Sequence, residues 1–272
     1  ANVLQLDNTI AVIADSFWQA ESARKLVKAQ WQKQHPPAST MSIEQQLRDN
    51  LKEKGQLARK KGSIQRTSNN LKASYSVPLL AHAPLEPMNC TVWFHDGLCE
   101  IWAPTQRPPL ARKIAQQITG YAMDKIIVHR TFIGGGFGRR LSQDYVTEAV
   151  SIAMHVSHPL TLIWSREDDM RHGNFRPAAT CSFDAAFTPD GKILSWQHKV
   201  VALSHTRQVS EPSEPLTHQF MRWLTLARNR WQGKALSTNG VIEGAAEIPY
   251  EIANIEVSFR QHYSTVPIGA WR

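Results

Sequence analysis

The chain has 272 residues, 42% hydrophobic and 20% charged, and its 31 Lys and Arg against 23 Asp and Glu give a formal net charge of +8. That composition argues against a long disordered tail or a fibrous repeat, and no apolar run approaches the ~20 residues of a membrane-spanning helix. The 3 cysteines, Cys90, Cys99 and Cys181, lie far apart without a C-x-x-C pair, which argues against a disulfide framework, a zinc ribbon or an iron–sulfur cluster held by this chain alone.

The first residues, Ala1-Asn2-Val3-Leu4, show neither a starting Met nor the basic and apolar zones of a signal peptide. They read as a start partway through a longer chain. Ile10–Ala14 predicts a strand, and Asp15-Ser16 supplies N-cap chemistry for a helix. Phe17, Ala20, Ala23, Val27 and Trp31 recur at helical spacing, which predicts a helix over 17–31. His35-Pro36-Pro37 then breaks the pattern. Ser42 with Gln45 predicts a capping box for a second, mostly polar surface helix carrying Ile43, Leu47 and Leu51. Seven basic residues (Arg48, Lys52, Lys54, Arg59, Lys60, Lys61, Arg66) face only Asp49 and Glu53 over 48–66, a local excess of five. A solvated helix face followed by a linker is the expected form, and Gly62–Asn70 reads as that linker.

From Leu71 the pattern becomes an α/β alternation. Strands are predicted over 71–77, 91–95 and 98–102, the last two joined by Asp96-Gly97, a hairpin turn pair. A helix is predicted from Pro109, with Leu110, Ile114 and Ile118 on one face and Gly120 as its stop. Further strands are expected over 125–130 and 160–164, with a helix over about 143–156 between them. Thr180–Phe187 and Ile193–Leu203 flank Pro189-Asp190-Gly191, a second hairpin turn. A helix is expected near 217–231, and Ile255–His262 is a final strand.

Four of the 14 glycines fall within five positions, in Gly134-Gly135-Gly136-Phe137-Gly138, followed by Arg139 and Arg140. Glycine at that density lets backbone N–H groups approach a ligand, and a strand–loop–helix passage suits an anion. It is neither a Walker A loop, lacking Lys-Ser/Thr, nor a complete G-x-G-x-x-G, since Arg139 stands at the third glycine. Ala83-Pro84-Leu85-Glu86-Pro87-Met88-Asn89 predicts a rigid turn with a fixed carboxylate accepting backbone hydrogen bonds. His82 and Glu86 have i, i+4 spacing, but the prolines remove the helix that a metal pair would need. Gln106 follows a strand end between prolines, where α/β proteins gather ligands. His155-x-x-His158 reads as a helix terminus, and Trp164-Ser165-Arg166-Glu167-Asp168-Asp169 as an N-cap entering a charged turn.

Taken in order, AVIADSFWQA (11–20), AHAPLEPMNCT (81–91), IWAPTQ (101–106), GGGFGRR (134–140), WSREDDMRHGNFRP (164–177) and VPIGAWR (266–272) resemble the large molybdenum-cofactor-binding subunit of the xanthine oxidase family. The closest branch is the isoquinoline 1-oxidoreductase β-subunit and aldehyde dehydrogenase type. The resemblance implies a partial α/β (mixed α+β) molybdopterin-binding fold. In it, 1–35 would be the tail of a smaller preceding domain, 36–70 a basic helix and linker, and 71–272 the first half of the cofactor-binding region. Gln106 matches the glutamine beside the molybdenum's oxo ligand. Gly135, Gly136, Phe137 and Gly138 match the loop approaching the metal centre, Arg139 suits the cofactor's phosphates, and Arg272 matches an arginine near the substrate.

The implied cofactor is molybdopterin, in its cytosine dinucleotide form, with iron–sulfur clusters on a small partner subunit. The implied reaction is hydroxylation of an N-heteroaromatic or oxidation of an aldehyde, with oxygen from water. No nucleic acid or transmembrane segment is expected. The family's base, a glutamate in a glycine-rich motif, has no counterpart before Arg272, so the 272 residues alone are expected to be inactive. Leu141 replaces the acid that xanthine-type members carry after the glycine loop, which disfavours purines. Compartment and electron acceptor stay open, and any export signal would lie upstream of Ala1. The alternative is a non-catalytic module that keeps the fold without the cofactor and uses its basic stretch to bind an acidic partner or nucleic acid.

Overall fold

The computed structural model describes all residues except 7–8, 33–38, 204–240, 243 and 271–272. In chain order the elements are β1 (Asn2–Leu6), β2 (Thr9–Ile13), α1 (Phe17–Arg24), α2 (Thr40–Lys52), β3 (Gln56–Lys61), β4 (Asn70–Val77), β5 (Asn89–His95) and β6 (Leu98–Ala103). There follow α3 (Pro108–Thr119), β7 (Ile126–Arg130), α4 (Asp144–Ala153), β8 (Leu160–Ile163), α5 (Arg166–His172), β9 (Ala179–Phe187), β10 (Ile193–Leu203) and β11 (Asn254–His262). They divide into two compact units, one built from Ala1–Pro36 and Ala81–Asn174, the other from Pro37–Leu80 and Phe175–Ala270. The expected helix near 217–231 lies outside the described residues.

The first unit carries a four-stranded sheet in the order β7-β6-β5-β8. Asp96 and Gly97 both take positive φ (47° and 72°), the twist a two-residue hairpin needs, and close β5 onto β6 with His95 opposite Leu98. A crossover through α3 makes β7 parallel to β6, and Gly120 ends α3 in the left-handed region (φ 71°). Alternate residues of these strands (Cys90, Val92, Cys99, Ile101, Ala103) pack with Ala111, Ala115, Tyr145, Val146 and Ala149 of the helices in one buried cluster. The opposite parity carries Trp93, stacked on His95 at 3.8 Å, and Trp102, stacked on His129 at 4.7 Å. Glu100 accepts from both imidazoles, at 2.8 Å from His95 Nε2 and 2.5 Å from His129 Nε2.

Helix α1 starts where expected, with Ser16 Oγ accepting from Gln19 N, but it ends at Arg24 rather than Trp31. Leu26 and Trp31 are 80% and 66% exposed, so helical periodicity there has no surface to bury against. The charged turn after Trp164 is a short helix, α5, whose start is a true capping box between Ser165 and Asp168.

The second unit holds a five-stranded sheet in the order β3-β11-β10-β9-β4, with β10 parallel to β11 and the other pairs antiparallel. Val200 to Leu203 are all buried because both sheet faces are covered. One parity packs with Ala58, Val257 and Phe259, the other with α2. Helix α2 lies on the surface as expected, with one face covered: Ile43 and Leu47, one turn apart, seat it against Val201 and Leu203. Its N-cap is Ser39, whose Oγ accepts from Ser42 N at 3.1 Å, and Ser42 takes the third helical position instead. Arg59, Lys60 and Lys61, expected in a linker, stand on β3. Only Ala58 of that strand is buried, so no apolar alternation announces it, and its pairing with β11 is long-range. Exposed lysines suit such a sheet edge, where charge discourages further pairing.

Leu47 is 1% exposed at the α2–sheet contact. Leu47→Ala should destabilise by about 2–5 kcal/mol, read as a lowered urea midpoint. Met41→Ala, at an 81% exposed position on the same helix, should change it by less than about 0.5 kcal/mol.

Candidate functional site

Three loops of the first unit converge: the turn over 83–89 before β5, the Pro104–Arg107 segment after β6, and the Phe132–Gly138 loop after β7. The last two leave the carboxyl ends of adjacent parallel strands, where open sheets leave room for ligands. Arg140 joins all three. Its side chain is 0% exposed, Nε donates to Gly135 O at 2.9 Å, and Nη1 to Pro104 O at 3.1 Å. Nη2 donates to Glu86 O and Glu86 Oε2 at 2.8 and 2.9 Å. Its carbonyl in turn accepts from Gln106 N, Thr105 Oγ1 and Gln143 Nε2. Tyr145, whose hydroxyl donates to Pro104 O at 3.2 Å, is pushed up to about 12 by burial.

Glu86 is the fixed carboxylate expected of the proline turn. Oε2 accepts from Gly134 N at 2.8 Å, Oε1 from Asn89 Nδ2 at 2.8 Å, and its own N–H donates to Gly134 O at 3.0 Å. His82 does not join it: Nδ1 lies 3.0 Å from Asn174 O, and no group of three or more metal-ligating side chains forms among the described residues.

Gln106 is exposed, and its Oε1 accepts from Gly138 N at 3.1 Å. That orientation is set by the hydrogen bond, and the side-chain NH₂ has no partner among the described residues. The N–H groups of Gly135, Gly136 and Phe137 likewise have none among them. The loop therefore carries successive N–H donors that no described residue takes up. Close approach explains the glycines. A Cβ at Gly134 would stand 2.4 Å from Glu86 Cβ, and one at Gly136 2.7 Å from Gln106 Cδ and Oε1. Gly135 and Gly138 take φ of 98° and 94°, and Phe137, 59% exposed, takes 52°.

Arg139, read from the sequence as charge offered to a ligand, faces inward and is 2% exposed. Its fork donates to both oxygens of Asp144 at 2.8 Å, and its guanidinium lies 5.2 Å over the Trp164 ring. Arg166 braces the turn from outside, donating to Asp169 Oδ2 at 2.9 Å and to the carbonyls of Pro84 and Leu85 at 2.7 Å. Arg272 lies outside the described residues. Sequence reasoning missed the joining role of Arg140 and the brace at Arg166. Adjacent arginines after a glycine run carry no sign of which one ties the loops.

The unpartnered N–H groups and the close-approach glycines fit a group rich in oxygen acceptors, such as a molybdopterin with its phosphate. A family profile described as the molybdopterin cofactor-binding domain matches residues 43–249. Isoquinoline 1-oxidoreductase subunit beta of Brevundimonas diminuta is 30% identical over 222 residues, covering 74% of this chain and 28% of that protein. Membrane-bound aldehyde dehydrogenase (pyrroloquinoline-quinone) of Gluconacetobacter polyoxogenes is 25% identical over 206 residues, covering 71% of this chain and 26% of that protein. Quinoline 2-oxidoreductase from Pseudomonas putida 86 is similar in fold, with a TM-score of 0.65 at 18% identity over 95% of this chain and 32% of that one. The chain thus spans less than a third of the length of the curated relatives it matches.

The glycines separate stability from site geometry. Gly134→Ala meets a Cβ that cannot swing away and should cost more than about 1 kcal/mol in thermal unfolding. Gly136→Ala meets only the end of the Gln106 side chain and should cost less, while displacing Gln106 from Gly138. Arg140→Met strands several loop acceptors and should cost at least about 3 kcal/mol.

Proposed function

The chain belongs to the molybdopterin cofactor-binding family, and from that premise we propose that it is the part of an oxidoreductase large subunit that seats the cofactor beside its substrate. One observation carries the reading: the N–H groups of Gly135, Gly136 and Phe137 and the NH₂ of Gln106 are left without a partner among the described residues, on loops tied together by Arg140. Bound there, the cofactor supplies two-electron oxidation of an aldehyde or N-heteroaromatic carbon, with oxygen taken from water. This chain's residues bind and orient. The loop N–H groups hold oxygen acceptors without bringing a charged side chain into the site, Gln106 fixes orientation through its NH₂, and the exposed Phe137 ring keeps water off that side. Arg139 acts on the cofactor only through the backbone it steadies.

Glu86 is committed to Gly134, Asn89 and Arg140 and is not free to act as a base. In the proposed reading the proton-accepting group lies outside these 272 residues, and the segment alone is expected to be inactive. The cytosine dinucleotide form of the cofactor and a small iron–sulfur subunit as electron acceptor complete the proposal. The alternative, a module working through its basic stretch, has less support: Arg48 pairs with Glu44, Lys52 with Asp49, and Arg59 donates to Ala246 O.

Molybdenum and iron per chain, measured in the native full-length protein captured by an antibody to this segment, test the reading. A ratio near one molybdenum with iron co-purifying is expected, and Gln106→Ala should lower molybdenum retention several-fold. A native chain free of molybdenum would overturn the proposal and favour the interaction module.

A further inference from the structure

Behind the glycine loop lies a charge cluster that the proposed function does not use. Three aspartates there each have an arginine. Asp144 takes the fork of Arg139, and Asp169 takes Arg166 at 2.9 Å. Asp168 takes Arg24 at 2.9 Å through both oxygens, and Arg24 also holds Glu21. Glu148 is the acid left over. It sits one turn after Asp144 on the same face of α4, half-buried, and its one hydrogen bond among the described residues comes from Trp164 Nε1 at 2.8 Å. Lys25, 4.0 Å from Glu21, supplies a fourth cation, so Arg24, Lys25, Arg139 and Arg166 match Glu21, Asp144, Asp168 and Asp169, and an ionised Glu148 adds one negative charge without a cation of its own.

Arg139 is the arginine of the cluster whose hydrogen bonding is incomplete. Its Nε and Asp169 Oδ1 are both buried without a hydrogen bond and stand 3.9 Å apart, beyond bonding distance. The groups around Glu148 pull in opposite senses. Burial raises its proton affinity most, the Trp164 N–H lowers it, Asp144 raises it, Arg139 lowers it and Asp168 raises it, leaving the carboxyl pushed up to about 7. Arg139 follows Gly138 directly and its N–H donates to Gly136 O at 2.8 Å, so a shift of its side chain bears on the loop backbone.

We propose that Glu148 is a proton-operated positioning residue for the glycine loop. Protonated, it leaves Arg139 seated on Asp144 above Trp164. Ionised, it repels the Asp144 carboxylate, draws Arg139 off that seat and shifts Gly138 against Gln106. This deepens the reading of the loop as the cofactor's seat, yet its readout is the loop itself.

The ¹H–¹⁵N signals of the Trp164 indole and the Gly138 amide, followed from pH 5 to 9 in the 272-residue chain, test it. The indole is assigned by its loss in Trp164→Phe. Both signals should shift with a common midpoint near 7, and both should lie flat in Glu148→Gln, whose amide oxygen still accepts the indole N–H. A Gly138 signal that stays flat while the indole titrates overturns the proposal with no variant needed, as does a Gly138 titration that survives Glu148→Gln. Unfolding gives a second readout. Because the folded carboxyl binds its proton more tightly than the unfolded one, the parent loses stability as pH rises from the ordinary carboxylate range through about 7. Glu148→Gln should therefore unfold about 3 °C or more above the parent at pH 8 and level with it at pH 5. A native enzyme without molybdenum would refute the cofactor reading and leave these titrations unchanged.

Discussion

A guanidinium sealed from water is tolerable only where its donors find acceptors, and Arg140 meets that condition by drawing three loops to one point. Its acceptors come from Gly135, Pro104 and Glu86, which are distant in sequence and otherwise share no element. The charge itself is met by the Glu86 carboxylate at 2.9 Å, which also receives Gly134 N–H. Loops at strand ends are ordinarily the mobile part of a fold. Here a buried charge makes their mutual distance a condition of folding, because separating them would leave a cation in an apolar interior.

That constraint explains why the candidate site is mostly backbone. Arg140 and Glu86 take up the carbonyls of Gly135 and Pro104 and the Gly134 N–H, while the N–H groups of Gly135, Gly136 and Phe137 and the NH₂ of Gln106 stay without a partner among the described residues. Glycine is required twice for closeness and twice for backbone shape, and these are different demands. Gly134 and Gly136 lack room for a Cβ, whereas Gly135 and Gly138 take positive φ. The two neighbouring arginines divide the interior between them: Arg140 ties loops together, and Arg139 ties the end of the glycine loop to α4 and Trp164.

Much of this was legible because local chemistry determined it. Asp96-Gly97 announced a hairpin, Gly120 a helix stop and the proline-flanked Glu86 a fixed carboxylate, and each is a short-range signal. The motif order from 81 to 177 resembled the molybdenum-cofactor family, and the family match over 43–249 bears that out. What escaped was decided at long range. Strand β3 forms because β11 offers it an edge, and its sequence, QLARKK, carries no alternation to reveal this. The periodicity of 17–31 promised more helix than packing sustains. The direction of Arg139 depends on Asp144 and Trp164, which lie on separate elements.

Two non-glycine residues, Ala83 and Phe137, hold left-handed backbone on the facing loops, with φ of 46° and 52°. Such conformations cost on the order of 1–3 kcal/mol each and persist only where surroundings enforce them. The enforcement is visible on both sides. Arg166 fixes the carbonyls of Pro84 and Leu85 beside Ala83, and Gln106 with Arg140 fixes Gly138 and Gly135 around Phe137. The backbone of these loops is thus held in shape by the protein itself. Donors already aimed spare a bound group the reorganisation that water or a mobile side chain would demand. A site of this kind therefore relies on buried arginines it never shows to its ligand, and it is most sensitive to changes in their charge surroundings.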